Sequence, residues 1–314
     1  MPLRTAITRR GLLTSLLPTS ALLTALHAVA APPASASKLS AADARKWLER
    51  VKPLHEKKLP NQDGDWLESH PEKGQSFDEY LKSHPARVCE RYTSLYLQPL
   101  GTLTEAMQKI VSQTADCMQR FFGLPVKLNE PLALDNLPAH ARRVHPRWNV
   151  PQVLSTYLLD DVLKPRCPRD AAAVLGLTAS DLWPGEGWNF VFGQASLGDR
   201  VGVWSVYRNG EIDGDATERR MFLRRTLKTA LHETGHMLGI PHCIAYECGM
   251  NGSNNRSESD RQPLEFCPEC QAKIWWTCGA QPLPRVAQLL KFADEQGLTA
   301  EAEFWRKTKA RLEA

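Results

Sequence analysis

The run His232-Glu233-Thr234-Gly235-His236-Met237-Leu238-Gly239-Ile240-Pro241-His242 gathers three imidazoles and a carboxylate within eleven residues. On a helix, His232 and His236 lie four apart and project from one face, where both can bind the same ion. Gly239 can adopt the left-handed conformation, which stops the helix and turns the chain back. The turn brings His242 to the same ion as a third nitrogen. Three neutral imidazoles leave a fourth position for water, the arrangement of a catalytic rather than a structural zinc. The chemistry this implies is hydrolysis. Zinc lowers the pKa of its water to about 7, and Glu233 takes the proton as general base. Attack on a peptide carbonyl follows, and Glu233 returns the proton to the leaving amine. Three histidines that merely lie close on a helix are the bland alternative, but five fixed positions in this order seldom arise by chance.

Cys243 follows the third histidine directly, and Cys248, Cys267 and Cys270 complete a C-x4-C-x18-C-x2-C pattern. Four thiolates so spaced suit a tetrahedral structural zinc with no open position. Two disulfides are the competing reading, which an oxidising compartment would favour. Export of an already folded chain weakens it, because zinc can load first in the reducing cytosol. Cys89, Cys117, Cys167 and Cys278 have no ligand spacing; buried thiols and one or two disulfides both fit them.

The elements that must position these residues read as a mixed α/β pattern. The strongest helix is Met221–Leu238, with Leu223, Leu227, Leu231 and Leu238 on or near one face. Upstream, Tyr92–Leu100 reads as a strand, Thr104–Phe122 as an amphipathic helix capped by Thr104, and Val126–Leu128 as a short strand. Val150–Leu163 reads as a helix with Pro151 in its first turn. Asn189–Ala195 and Val201–Tyr207 read as two strands joined around Gly198. Ala41–Val51, Phe77–Ser83 and the charged stretch Gln288–Ala314 are helical. His55, His70 and His84 have no ligand spacing and are expected at the surface.

The remaining composition narrows the setting. Lys and Arg total 39 against 35 acidic residues in 314, a net charge of +4. Arg4, Arg9 and Arg10 fall within residues 1–36, which hold no acid, so the body is nearly neutral and offers no electrostatic case for nucleic acid. Those first residues join a Thr8-Arg9-Arg10-Gly11-Leu12-Leu13 front to an apolar stretch and two small-residue cleavage sites, Ala28-Val29-Ala30 and Ala34-Ser35-Ala36. That pattern is an export signal of twin-arginine type. Its removal would leave a mature protein without a membrane span, in the periplasm or secreted.

The motif residues, together with Cys248-Gly249-Met250, Gly252-Ser253-Asn254, Asp260 and Cys267-Pro268-Glu269-Cys270-Gln271-Ala272-Lys273, resemble the archaemetzincins of the metzincin clan. The resemblance runs more loosely through Phe190–Ala195 and Arg200–Ser205 and reaches back to Leu97–Gly101. It implies a zincin-like domain with a mixed twisted sheet, an active-site helix and a horizontal cleft. It also implies His232, His236 and His242 as catalytic zinc ligands, Glu233 as base and acid, and Cys243, Cys248, Cys267 and Cys270 around a second zinc. Met250 would form a hydrophobic base beneath the catalytic metal, and Val201–Tyr207 would border the cleft. The division follows: a signal over 1–36, a polar extension over 37–91, the catalytic domain over 92–281 and a helical tail over 282–314.

The function expected is an exported zinc metallopeptidase acting on peptides or proteins, in endopeptidase or aminopeptidase mode. Glu247, Glu258 and Asp260 are candidates, by proximity in sequence, to capture a substrate amine. Tyr207 and Tyr246 are candidate oxyanion donors, with core positions the simpler reading. A non-catalytic zinc-stabilised binding module is the alternative, and the intact base and open ligand set argue against it. Replacing Arg9 and Arg10 by Lys should leave precursor in the cytoplasm on fractionation; normal export of that variant would sink the twin-arginine assignment.

Overall fold

The structure is a computed structural model that describes residues 38–85, 87, 91–196 and 198–314. Residues 1–36, expected from the sequence to be an export signal with Arg9 and Arg10, lie outside the described residues, as does Cys89. Helix α1 (Ala41–Val51) starts at Ser40, whose hydroxyl accepts the Asp43 N–H at 3.0 Å. Short helices α2 (Trp66–Ser69) and α3 (Phe77–Lys82) follow. Strand β1 (Ser94–Leu100) leads to α4 (Glu105–Phe122), which Thr104 caps and Gly123 closes at φ +66°. Next come β2 (Val126–Leu128), β3 (Arg142–Val144) and β4 (Pro151–Leu154). Helix α5 (Ser155–Tyr157) runs on through a π-helical Leu158–Leu163 into a 3-10 turn at Lys164–Arg166. Strands β5 (Ala171–Thr178), β6 (Asp181–Trp183), β7 (Gly193–Ala195) and β8 (Val201–Ser205) precede the 22-residue α6 (Ala216–Met237). Helices α7 (Arg256–Arg261), α8 (Pro268–Cys278), α9 (Pro282–Gln296) and α10 (Thr299–Glu313) complete the described chain.

The main sheet has the order β2-β1-β5-β8-β7, parallel except for β7, which pairs antiparallel with β8 at the edge. Because side chains alternate along a strand, the sheet has two apolar faces. Leu95, Leu97, Leu175, Leu177 and Trp204 join α4 and α6 in the larger core. Tyr96, Val174, Val201 and Val203 face the other way, onto Leu158, Leu159 and Leu163. Both faces are covered, as a largely parallel sheet requires. A second sheet, β3-β4-β6, sits beside it and is tied back by a bridge from Leu182 to Val191.

The mixed α/β class is the expected one, and several boundaries differ from the sequence reading. Pro151–Leu154 is a strand, and the helix begins only at Ser155. Proline is tolerated as the first residue of a strand, and Gln152 and Val153 gain partners on both sides, in β3 and β6. Helix α6 starts five residues early, at Ala216. Asp215 and Glu218 form a capping box there, the Asp215 carboxylate accepting the Glu218 N–H at 2.9 Å and Glu218 accepting the Asp215 N–H at 2.8 Å. Of Asn189–Ala195 only Gly193–Ala195 is strand, because Val191 turns to bridge β6 instead of β8. The charged end is two helices, broken at Gly297 with φ +67°. No described helix is long and apolar enough to cross a membrane.

The segments on either side of the catalytic region share its core. Leu48, Val51, Phe77 and Tyr80 from the extension, and Leu289, Phe292 and Trp305 from the end of the chain, belong to the larger apolar cluster. A buried polar knot fastens the C-terminal helices. Arg285 donates to both oxygens of Glu265 at 2.9 and 3.1 Å and to the Phe121 carbonyl at 2.7 Å. The Trp305 indole donates to Glu265 at 2.7 Å. Removing one partner of such a pair strands a buried charge, so Arg285→Ala should lower the unfolding free energy by about 3–5 kcal/mol, read by urea denaturation of the metal-loaded protein.

Candidate active site

Helix α6 presents His232, Glu233 and His236, and a Schellman turn ends it. Gly239, at φ +81°, donates to the His236 carbonyl at 2.8 Å, and Ile240 donates to the Gly235 carbonyl at 3.1 Å. The chain reverses as expected and delivers His242. The ligating nitrogens of His232, His236 and His242 lie within 4.8 Å of one another.

The hydrogen bonds at the far side of each ring decide what these nitrogens hold. His232 Nδ1 lies 2.9 Å from the Gly249 carbonyl and His236 Nδ1 lies 2.8 Å from the Ile240 carbonyl. His242 Nδ1 lies 2.7 Å from a Glu72 carboxylate oxygen. A carbonyl or carboxylate can only accept, so each Nδ1 carries the proton and each Nε2 is left with a lone pair. His232 Nε2 and His236 Nε2 then face each other at 3.0 Å with no proton between them. Burial keeps two of the rings neutral, pushing His236 down to about 4 and His232 far below its ordinary value. Converging lone pairs without a donor fit a cation, and neutral imidazole nitrogens fit zinc.

Glu233 is buried at 5% exposure beside β7. A β-carbon at Gly193 would stand 2.4 Å from its Oε1, so the bare glycine backbone makes room for the carboxylate. Burial pushes the Glu233 carboxyl up to about 8; a divalent cation at the histidines would lower it from there. Gly235 performs the same service below the helix. Its missing side chain admits Met250, whose sulfur would lie 2.4 Å from an added β-carbon. Met250 is fully buried, the apolar base that was expected.

Cys243, Cys248, Cys267 and Cys270 also come together, their sulfurs within 4.8 Å. None is in a disulfide, and Cys243 and Cys267 sulfurs are 3.6 Å apart. Hydrogen bonds from the three other thiols hold Cys243 far below the ordinary thiol range, while burial pushes Cys248 and Cys267 up. Backbone N–H groups of Met250 and Cys267 point at the Cys248 sulfur at 3.3 and 3.1 Å. Four sulfurs this close, one of them met by two backbone N–H groups, form a ligand set that fits a tetrahedral cation. Asn251 ties it to the histidine site, accepting the Cys248 N–H and donating to the Cys243 and Tyr246 carbonyls. Cys117, by contrast, is a fully buried thiol in α4, and Cys167 is half-buried.

A cleft of about 590 Å³ opens over the histidines. Its upper wall is Phe192–Ala195, and Trp66, Trp188 and Phe190 add aromatic lining. The strand bordering it is therefore β7, and not Val201–Tyr207. Strand β8 lies between β5 and β7 with both edges paired, which leaves β7 as the edge strand on this side of the sheet. The amine-capture candidates are engaged elsewhere: Glu247 pairs with Lys58, Asp260 pairs with Arg225, and Glu258 accepts the Trp66 and Asn254 N–H groups. Tyr246 is buried, whereas Tyr207 is exposed; neither lines the cleft.

Sequence reasoning missed Glu72, Trp66 and Lys228. Lys228 lies one turn before His232, lines the cleft, and donates to the Ser259 and Gln262 carbonyls at the end of α7. Its i, i+4 spacing to His232 was a readable signal; Glu72 offered none, lying 170 positions from His242. The histidines of the extension are not all at the surface. His55 is partly buried and pushed down to about 4 by desolvation, and His70 stacks on Trp66 at 3.9 Å; His84 alone is exposed.

Comparison with known proteins identifies a family and several relatives. The profile of peptidase family M54 matches residues 167–275. Mouse archaemetzincin-2 is 32% identical over 295 residues, covering 82% of this chain and 81% of its own length. Human archaemetzincin-2 is 32% identical over 296 residues with the same coverage. The crystal structure of an archaemetzincin from Methanopyrus kandleri is 31% identical and covers 60% of this chain and 96% of its own, with a TM-score of 0.49.

The Gly235–Met250 contact sets a stability expectation. Gly235→Ala should lower stability by about 1–3 kcal/mol through overpacking. Alanine otherwise favours a helix interior by about 1 kcal/mol over glycine. A net loss in chemical unfolding therefore isolates the contact, and a gain would show that Met250 moves aside freely.

Proposed function

The chain belongs to the archaemetzincin family and is a zinc metallopeptidase, and on that premise we propose that Glu233 is its proton shuttle and that it works outside the cytoplasm with two zinc ions. The observation that carries the reading is the set of three inward lone pairs beside a buried carboxylate. His232, His236 and His242 would hold the catalytic ion, and Cys243, Cys248, Cys267 and Cys270 the structural one. When bound, the catalytic zinc supplies a Lewis acid that acidifies water and polarises a carbonyl oxygen.

The rest falls to the protein. The outer edge of β7 has no strand partner among the described residues, so an extended peptide can add there by backbone hydrogen bonds. Trp188, Phe190 and Phe192 offer apolar contacts for its side chains. Glu233, held against Gly193, takes a proton from the attacking water as the new C–O bond forms. It then delivers that proton to the nitrogen as the C–N bond breaks. Trp66, Trp188 and the sheet edge line the cleft that holds the buried carboxylate. Supporting export are the paired arginines, the apolar stretch and the two small-residue sites of residues 1–36. The thiols of the cysteine cluster, unoxidised in a chain bound for that compartment, suit metal loading before export.

The test is peptide-library cleavage read by mass spectrometry, with the wild type beside Glu233→Ala. Both should carry two zinc ions per chain, and the mutant should lose hydrolysis by several orders of magnitude, about 10² to 10⁴ from proton transfer alone. Comparable turnover in Glu233→Ala rejects the shuttle, and one zinc per chain rejects the second site. Internal cuts mark an endopeptidase; single residues released from amino termini mark an aminopeptidase.

A further inference from the structure

Among the described residues, the histidines of the site have one hydrogen-bond partner that lies outside the family profile. Glu72 belongs to the segment before β1, nearly a hundred residues ahead of the profile match at 167–275. Its Oε1 accepts from His242 Nδ1 at 2.7 Å and from the Trp66 indole at 3.0 Å. Its Oε2 is buried and has no hydrogen-bond partner among the described residues. Trp66 is itself fixed. Its ring packs over Gly252, where a β-carbon would lie 2.4 Å from Cδ1, and stands edge-on to His242 at 5.4 Å. Its backbone N–H is held by Glu258 at 3.0 Å, and His70 stacks on its outer face.

The three ligands thus differ in how they are anchored. His232 and His236 donate to backbone carbonyls of the loop and turn that follow α6, whereas His242 donates to an anion brought from the opposite end of the chain. A carboxylate behind an imidazole fixes its tautomer and ring orientation and raises its basicity as a ligand. It is also a half-buried negative charge whose one buried oxygen has no hydrogen-bond partner among the described residues, which a dication across the ring would compensate and a neutral site would not.

We propose that Glu72 is a positioning residue of the catalytic metal centre, held by Trp66, so that residues 66–72 are a built part of the zinc site and not a dispensable extension. The inference rests on the assignment of zinc to the histidine triad. It follows that a chain trimmed to the profile region would keep the three histidines and lose the partner of the third.

Metal affinity tests this apart from turnover. The full mature chain is loaded with zinc and titrated against a chromophoric chelator, as wild type, Glu72→Gln, Glu72→Ala and Trp66→Phe. Glu72→Gln keeps shape and removes charge; Trp66→Phe keeps an aromatic ring, though a smaller one, and removes the indole N–H. We expect Glu72→Gln and Glu72→Ala to weaken the histidine-site zinc by about 10–100-fold, with a smaller loss for Trp66→Phe and no change at the cysteine site. In the cobalt-substituted protein the weak visible bands of the histidine site should shift, while the intense sulfur charge-transfer bands stay constant. Unchanged affinity and spectrum in both Glu72 variants overturns the proposal, as does an equal loss at both sites, which marks general loosening. A wild type that loads metal only at the cysteine site removes the zinc assignment and this inference with it, an outcome distinct from an unresponsive Glu72.

Discussion

Three imidazole lone pairs directed at one point are an unstable arrangement in a protein interior, and much of the chain is arranged to keep them there. Each ring is locked by what its Nδ1 meets: the Gly249 carbonyl, the Ile240 carbonyl and the Glu72 carboxylate. Those acceptors come from the loop above the cysteine cluster, from the helix-ending turn, and from the segment before the first strand. Without them a ring could rotate, exchange tautomers or take up a proton, and the site would lose its preference for a cation. Burial adds to this by holding His232 and His236 neutral.

Clearance matters as much as contact. Gly193 lets the strand edge approach the Glu233 carboxylate, and Gly235 lets Met250 lie directly under the active helix. Gly239 supplies a backbone conformation that other residues reach only at a cost. Gly193 and Gly235 are needed for the space their missing side chains leave, Gly239 for its left-handed backbone. The cysteine cluster then acts as a clamp. It fixes both ends of the loop that carries Gly249 and Met250, and Asn251 links it by three hydrogen bonds to the strand of chain leaving His242.

The terminal segments extend the same logic outward. Residues 56–58 run beside 245–247, with backbone bonds from Lys58 to Ala245 and from Glu247 to Glu56. Phe77 and Gln75 dock on α8 through Glu269 and Lys273. The C-terminal helices dock through Arg285, Glu265 and Trp305, one residue from the Phe266 that packs beneath Gly249. A polar composition in the extension concealed this, although Leu48, Val51, Phe77 and Tyr80 are buried in the shared core.

The sequence by itself determined the reactive groups, because their chemistry is local. The four-residue step from His232 to His236, the stop at Gly239 and the two-residue gap from Cys267 to Cys270 each follow from helix or loop geometry over a few residues. The same holds for the caps at Thr104 and the core stripe of α6. Tertiary structure alone decided what depends on distant partners. Pro151–Leu154 became a strand because β3 and β6 flank it, and β7 became the cleft's wall because β8 lies inside the sheet. Glu72 became the anchor of His242 across 170 positions of sequence, and no periodicity encodes such a pairing. Residue types fix which bonds can form; only the packed chain settles which groups are near enough to form them.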